Sequence, residues 1–115
     1  MLFRSAGGVV VTGVATATDF NSTSDINLKE NIKPIDNPLE KVLQLNGVSF
    51  DWKHMQQSSA GVIAQDVEKV LPEIVRGDVD GYKSLNYNGL IGLLIEAVKE
   101  QQKQIDELRK QIEHK

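Results

Sequence analysis

The chain has no cysteine, which removes a disulfide framework, a thiolate nucleophile and a thiolate zinc site from consideration. Aromatic residues are scarce: Phe3, Phe20, Phe50, Trp52, Tyr82 and Tyr87 amount to 5% of 115 residues, too few to fill a core alone. No run of about 18 apolar residues occurs, so no membrane partner is expected. Positive charge is not in excess either. Against 16 Asp and Glu stand 13 Lys and Arg, a net charge of -3, and no basic stripe interleaves with aromatics, which argues against nucleic acid. The two histidines, His54 and His114, lie far apart without partners at ligand spacing; both read as surface residues, and no metal or other cofactor is expected. Residues 1–17 imitate a signal peptide only in outline. Arg4 precedes an apolar stretch and Ala15-Thr16-Ala17 offers a cleavage pattern, but Gly7, Gly8, Thr12 and Gly13 interrupt it.

What is present, 40% apolar and 25% charged residues, fits one small globular domain with an extended appendage. So short a chain hides a small share of its surface, and oligomerisation is the natural supplement. Residues 6–18 (AGGVVVTGVATAT) carry no charge and are β-prone, with side chains too small for a monomeric core. Such a strand needs partners; it reads either as an edge strand or leader, or as the end of a β-rich shaft. The polar cluster DFNSTSD (19–25) marks a boundary, and the domain proper begins near Ser24.

Beyond it, LKENI (28–32) reads as a short helical turn. Asn37-Pro38 opens a helix whose apolar side is Leu39, Val42, Leu43 and Leu45, ended by Asn46-Gly47. In VSFDWK (48–53) the apolar residues alternate with polar ones, the period of a half-buried strand. A second strand is expected over 61–64, then a helix over 66–71 halted by Pro72, then a turn over 77–81. Phe50, Trp52 and Tyr87 are expected in the core. The fold class is α+β: short strands and helices followed by a long C-terminal helix.

That helix carries the strongest local signal. Ile91, Leu94, Val98, Gln101, Ile105, Leu108 and Ile112 follow spacings of three and four without a break, a coiled-coil seam over a helix from about 89 to 113 capped by Asn88. β-Branched residues alternating with leucines suit a parallel dimer, while Gln101 on the seam suits polar groups meeting around a three-fold axis. A helix folding back on its own domain is the alternative for its first three turns.

Among chemistry-bearing residues, Ser24-Asp25-Ile26-Asn27-Leu28-Lys29 stands at the domain boundary. A serine becomes a nucleophile when an uncharged lysine takes its proton. A spacing of five, however, sets Ser24 and Lys29 about 140° apart on a helix and on opposite faces of a strand. They meet only across a turn or between chains. Spacing alone favours a plainer reading, with Ser24 or Asp25 capping a short helix and Lys29 solvated or paired to Asp25. Asp78-Val79-Asp80-Gly81 begins like a calcium loop but has Tyr82 and Gly89 where ligands belong, so a turn is expected. Arg76-Gly77-Asp78 and the sequon Asn21-Ser22-Thr23 read as chance.

Three stretches, STSDINLKENIKPIDNPLEKVLQLNGVSFDW, GVIAQDVEKVLPEIV and GYKSLNYNGLIGLLIEAVKEQQKQIDEL, in this order, resemble the C-terminal intramolecular chaperone domain of bacteriophage tailspikes and tail fibres. This is the endosialidase-type chaperone, or S74 self-cleaving peptidase family, and the resemblance covers about residues 22–112. It implies a homotrimer with no external substrate. In the family the domain registers the upstream fibre or spike of the same polypeptide in the host cytoplasm and is then released from the virion tail-fibre precursor. On that pattern residues 1–23 are a shaft remnant and cleavage linker, 24–115 the chaperone domain, and 88–113 its coiled coil. The resemblance makes Ser24 the nucleophile, Lys29 the base and Thr23–Ser24 the scissile bond, with Asp25 at the motif's acidic position, orienting the turn or the lysine. It makes the neighbourhood of Gln65 and Asp66 a packing or subunit contact. The family's S-D-x-R-L-K pattern carries arginine where this chain has Asn27. A non-cleaving trimerisation tip is the alternative function.

Overall fold

A computed structural model describes residues 8–77 and 81–114. The chain divides into two compact units, Met1–Ile32 and Lys33–Lys115. Asp78, Val79 and Asp80, and with them the centre of the expected turn, lie outside the described residues.

In the first unit residues 8–25 form neither helix nor strand, and all are exposed. Val9, Val10, Val11 and Val14 have the composition of a strand, but a strand is completed by a neighbour that pairs its N–H and C=O groups. Among the described residues of this unit, regular structure appears only at Ile26–Leu28, one 3-10 turn. It falls two residues earlier than expected from LKENI, because Asp25 supplies a cap at that point and Lys29 is already extended.

The second unit opens with α1 (Pro38–Leu43). Proline at its first position suits a helix start, yet Asn37 adopts a left-handed conformation (φ 45°) and gives no side-chain cap. The cap comes from the far end of the chain: the Leu39 N–H donates to Glu100 Oε2 at 2.9 Å. Leu43, assigned above to the apolar side of α1, is 76% exposed.

Strands β1 (Val48–Asp51) and β2 (Ser58–Gly61) pair antiparallel, Val48 opposite Gly61 and Asp51 opposite Ser58. β2 therefore precedes the expected strand at 61–64. The hairpin end sets this register: Trp52 N–H donates to the Gln57 carbonyl at 3.1 Å, and the Ser58 hydroxyl to Asp51 Oδ1 at 2.5 Å. Helix α2 (Ala64–Val70) follows, and Pro72 starts a separate 3-10 turn to Ile74. Two short strands that hydropathy did not announce come next, β3 (Val75–Gly77) and β4 (Lys83–Leu85), paired antiparallel with Val75 opposite Leu85. Three-residue strands are too short to display a period of two. Lys83 Nζ reaches both carboxylate oxygens of Glu68 at 2.6 Å and ties β4 to α2.

Helix α3 (Tyr87–Glu113) closes the unit. Its cap is Asn86, whose side chain accepts from the Asn88 N–H, rather than Asn88 itself. The core is aliphatic: Val67, Val70, Leu71, Val75 and Leu93, surrounded by Ile35, Val42, Leu45, Val62, Ile74, Leu85 and Leu90. The aromatics expected there lie at its margin. Phe50 is half-buried against Trp52 in an edge-to-face pair with ring centres 5.0 Å apart, while Trp52 and Tyr87 are about half exposed. Trp52 lies beyond the end of β1, and Tyr87 sits at the first turn of α3 with its hydroxyl over Gly61, where any Cβ would stand 2.6 Å from the oxygen. Gly89 likewise admits Ile74, whose Cγ2 occupies the space a Cβ would need.

Candidate functional site

The turn that follows Ser24 is built by two backbone bonds and one side-chain cap. Asp25 Oδ1 accepts the Asn27 N–H at 2.8 Å, and the Asp25 carbonyl accepts the Leu28 N–H at 3.1 Å. The Lys29 N–H donates to the Ile26 carbonyl at 3.1 Å, after which the backbone is extended (φ -121°, ψ 151°). One tight turn thus reverses the chain, and the Lys29 ammonium returns to donate to Ser24 Oγ at 2.6 Å. Of the two routes by which residues five apart can meet, the turn within one chain is the one observed.

Asp25 and Lys29 do not pair. The carboxylate holds a backbone amide, and the lysine holds the serine. All residues from Thr23 to Lys29 are exposed, and Ile26 and Leu28 present large apolar side chains to solvent. Asn27 contributes its backbone N–H to the cap.

The second feature is the exposed face of α3. Leu90, Leu93 and Ala97 point into the domain, Leu93 with no accessible surface at all. Ile91, Leu94 and Val98 each follow one of these residues, and so lie about 100° further around the helix. Together with Ile105, Leu108 and Ile112 they are 41–69% exposed, and Gln101 is exposed among them. The first three turns therefore serve two purposes with different residues: one face folds back on the domain, and the predicted seam remains open. Ile95, beside the seam and 56% exposed, stands four residues after Ile91 and three before Val98 and so fits the same spacings as Leu94, the residue that the pattern places on the seam. Glu100 escaped the reading of the pattern, since nothing in a sequence marks a glutamate that will cap a helix 61 residues earlier. From residue 101 to 114 every residue is exposed, so this half of α3, about 20 Å long, runs clear of the core.

His54 is exposed and His114 ends α3. Gln65 is exposed and Asp66 half-buried on α2. Among the described residues no helix is long and apolar enough to cross a membrane.

Residues 24–76 match the Peptidase_S74 family, described as chaperone of endosialidase. The match begins at Ser24. The long tail fiber protein Gp37 of Salmonella phage S16 is 36% identical over 111 residues, 87% of this chain and 15% of that protein. Its namesake in Enterobacteria phage K3 is 42% identical over 98 residues, 77% of this chain and 8% of the relative. That of Enterobacteria phage Ox2 is 33% identical over 117 residues, 93% of this chain and 47% of the relative. The chain thus spans from under a tenth to about half the length of these relatives. By the family match and this shared ancestry, the chain belongs to the Peptidase_S74 family, chaperone of endosialidase, in the form carried by phage long tail fibre proteins.

Proposed function

We propose that this chain is an intramolecular chaperone of a phage tail fibre, which trimerises, holds the upstream fibre chains in register while they fold, and is released by self-cleavage between Thr23 and Ser24. The observation that carries the cleavage reading is the 2.6 Å contact between Lys29 Nζ and Ser24 Oγ at the first residue of the family match. The open α3 seam supports the assembly reading, since an unpartnered apolar stripe of this length is buried only by other helices.

The chemistry is one acyl transfer followed by hydrolysis. Lys29, uncharged, takes the Ser24 hydroxyl proton as Oγ attacks the Thr23 carbonyl carbon. The tetrahedral centre collapses by breaking the Thr23–Ser24 C–N bond, and the Ser24 nitrogen takes up a proton. The resulting ester between Thr23 and Ser24 Oγ is hydrolysed by water, leaving a carboxylate on Thr23 and a free amine on Ser24. A lysine serves as base only when uncharged, a state favoured by burial. Because the turn is exposed in the single chain, its covering by neighbouring chains is the step that arms the site.

Such a device suits its charge. A shaft of Gly, Val, Ala and Thr strands pairs slowly and exposes edges while chains search for one another. Helices joined at one end raise the effective concentration of the strands, and a cut after assembly removes the route back.

The test is the intact mass of freshly purified protein under denaturing conditions, alongside Ser24→Ala and Lys29→Ala, with native mass on the same samples. A fragment from Ser24 to Lys115 in the parent and in neither variant, with trimers in all three, is expected. Uncut trimers throughout would leave a permanent trimerising tip, the reading that Asn27 at the arginine position favours. Monomers throughout would sink both.

A further inference from the structure

We infer that Asp25 is a positioning residue of the self-cleaving site, acting through the backbone of the turn by means of an oxygen acceptor, with no use of its charge. The inference rests on the self-cleavage reading above. Its basis is where the carboxylate goes: Oδ1 accepts the Asn27 N–H at 2.8 Å, while Lys29 donates to Ser24 and makes no ion pair with Asp25. The residue itself has the extended conformation of a cap (φ -69°, ψ 136°).

Three bonds then define the path from serine to lysine: the Asp25 side chain to Asn27, the Asp25 carbonyl to Leu28, and the Ile26 carbonyl to Lys29. With three residues in the turn, no helix ladder or packed core stands behind this geometry, and Ile26, Asn27 and Leu28 are all exposed. The cap therefore carries a larger share of the ordering than it does in a long helix. A charge role would run against the chemistry. A carboxylate at the ammonium favours the protonated lysine, the form that cannot take the serine proton. Binding the carboxylate to an amide keeps it engaged elsewhere.

An acceptor oxygen is all a cap needs, so asparagine can replace aspartate and alanine cannot. Relative to the parent, Asp25→Ala is expected to slow cutting by about 2- to 30-fold, the range corresponding to a lost cap. Asp25→Asn is expected to cut within about threefold of the parent, with the same dependence of rate on pH. Rates are read by intact mass over time on chains whose trimers are confirmed by native mass, across a pH series. Protection of the Asn27 amide from hydrogen exchange, retained in Asp25→Asn and lost in Asp25→Ala, reports the turn independently of cutting. A parent that cuts, with Asp25→Asn as slow as Asp25→Ala or shifted in its pH profile, overturns the role alone. A parent that never cuts overturns the self-cleavage reading and this role together.

Discussion

Glu100 caps a helix that begins 61 residues before it, its Oε2 accepting the Leu39 N–H at 2.9 Å. The bond replaces the local cap that left-handed Asn37 does not give, and joins α1 to the middle of α3. Glu100→Ala is expected to cost about 1 kcal/mol, as cap removals do. For a domain of this size that lowers the melting temperature by roughly 4–8 °C. Glu100→Gln, whose amide oxygen still accepts, is expected to lose less. Melts are compared at one chain concentration, because association shifts them.

The close approach of Tyr87 to Gly61 gives a second, paired prediction. Gly61→Ala drives a methyl into the Tyr87 hydroxyl and is expected to destabilise by about 1–3 kcal/mol. Tyr87→Phe removes the obstructing oxygen and loses only a long 3.5 Å bond from the Val62 N–H. The double variant is expected to be more stable than the sum of the two singles by about 1 kcal/mol, read from denaturant unfolding.

The two faces of α3 separate in their consequences. Leu93→Ala opens a cavity in the core and is expected to cost about 2–5 kcal/mol of domain stability. Val98→Asp, on the open seam, is expected to leave the far-ultraviolet dichroism of the domain intact while abolishing trimers in native mass. A Val98→Asp trimer would exclude the seam as the association surface.

Because Lys29 reaches the serine of its own chain, the dyad is expected to act in cis. Ser24→Ala and Lys29→Ala chains co-expressed in mixed trimers then yield no fragment. A cut Lys29→Ala chain, served by a neighbour's lysine, would show that the dyad forms between chains.

Asp36 supplies a prediction in pH. The Lys41 ammonium, 2.8 Å away, holds its carboxyl below the ordinary value of 3.8, first by hydrogen bond and then by charge. A carboxyl lowered on folding adds stability that is present above its ordinary value and fades as pH falls through the lowered one. The Asp36 side chain is 84% exposed, so the gain is small and screened by salt. Asp36→Asn is therefore expected to melt slightly lower than the parent at neutral pH, and to converge with it once the pH falls below the lowered value or in molar salt.

Elements with a long or clean period were legible in the sequence. The run from Ile91 to Ile112 announced α3, and the alternation at Val48 and Phe50 announced β1. Pro38 and Pro72 marked boundaries because proline lacks an N–H and fixes φ. What stayed hidden was decided by distant or very short-range geometry. β2 shifted to 58–61 because a hairpin's register is set at its end, through Trp52, Gln57 and Ser58. β3 and β4 are too short to show a pattern. Trp52, expected in the core, lies at its margin, because size and apolarity say nothing of a place beyond the last paired residue. At the candidate site, the family resemblance named Ser24 and Lys29, but a spacing of five fits neither helix nor strand. The cap that lets them meet depends on one Asp25 oxygen and one Asn27 amide.

The fixation of α3 to its own domain through Leu93 and Ala97 has a mechanical corollary. The helix cannot slide or rotate without disturbing the core packed on Leu93, so in any bundle built on the seam, an error in helix alignment becomes an error in the level of the domain. A slip of one heptad would displace a subunit by about 10 Å along the axis, too far for like surfaces of the proposed trimer to meet. In the proposed trimer the domain body would act as a gauge: misaligned helices would leave mismatched shoulders, and only an aligned bundle would bring equivalent chains to the same height.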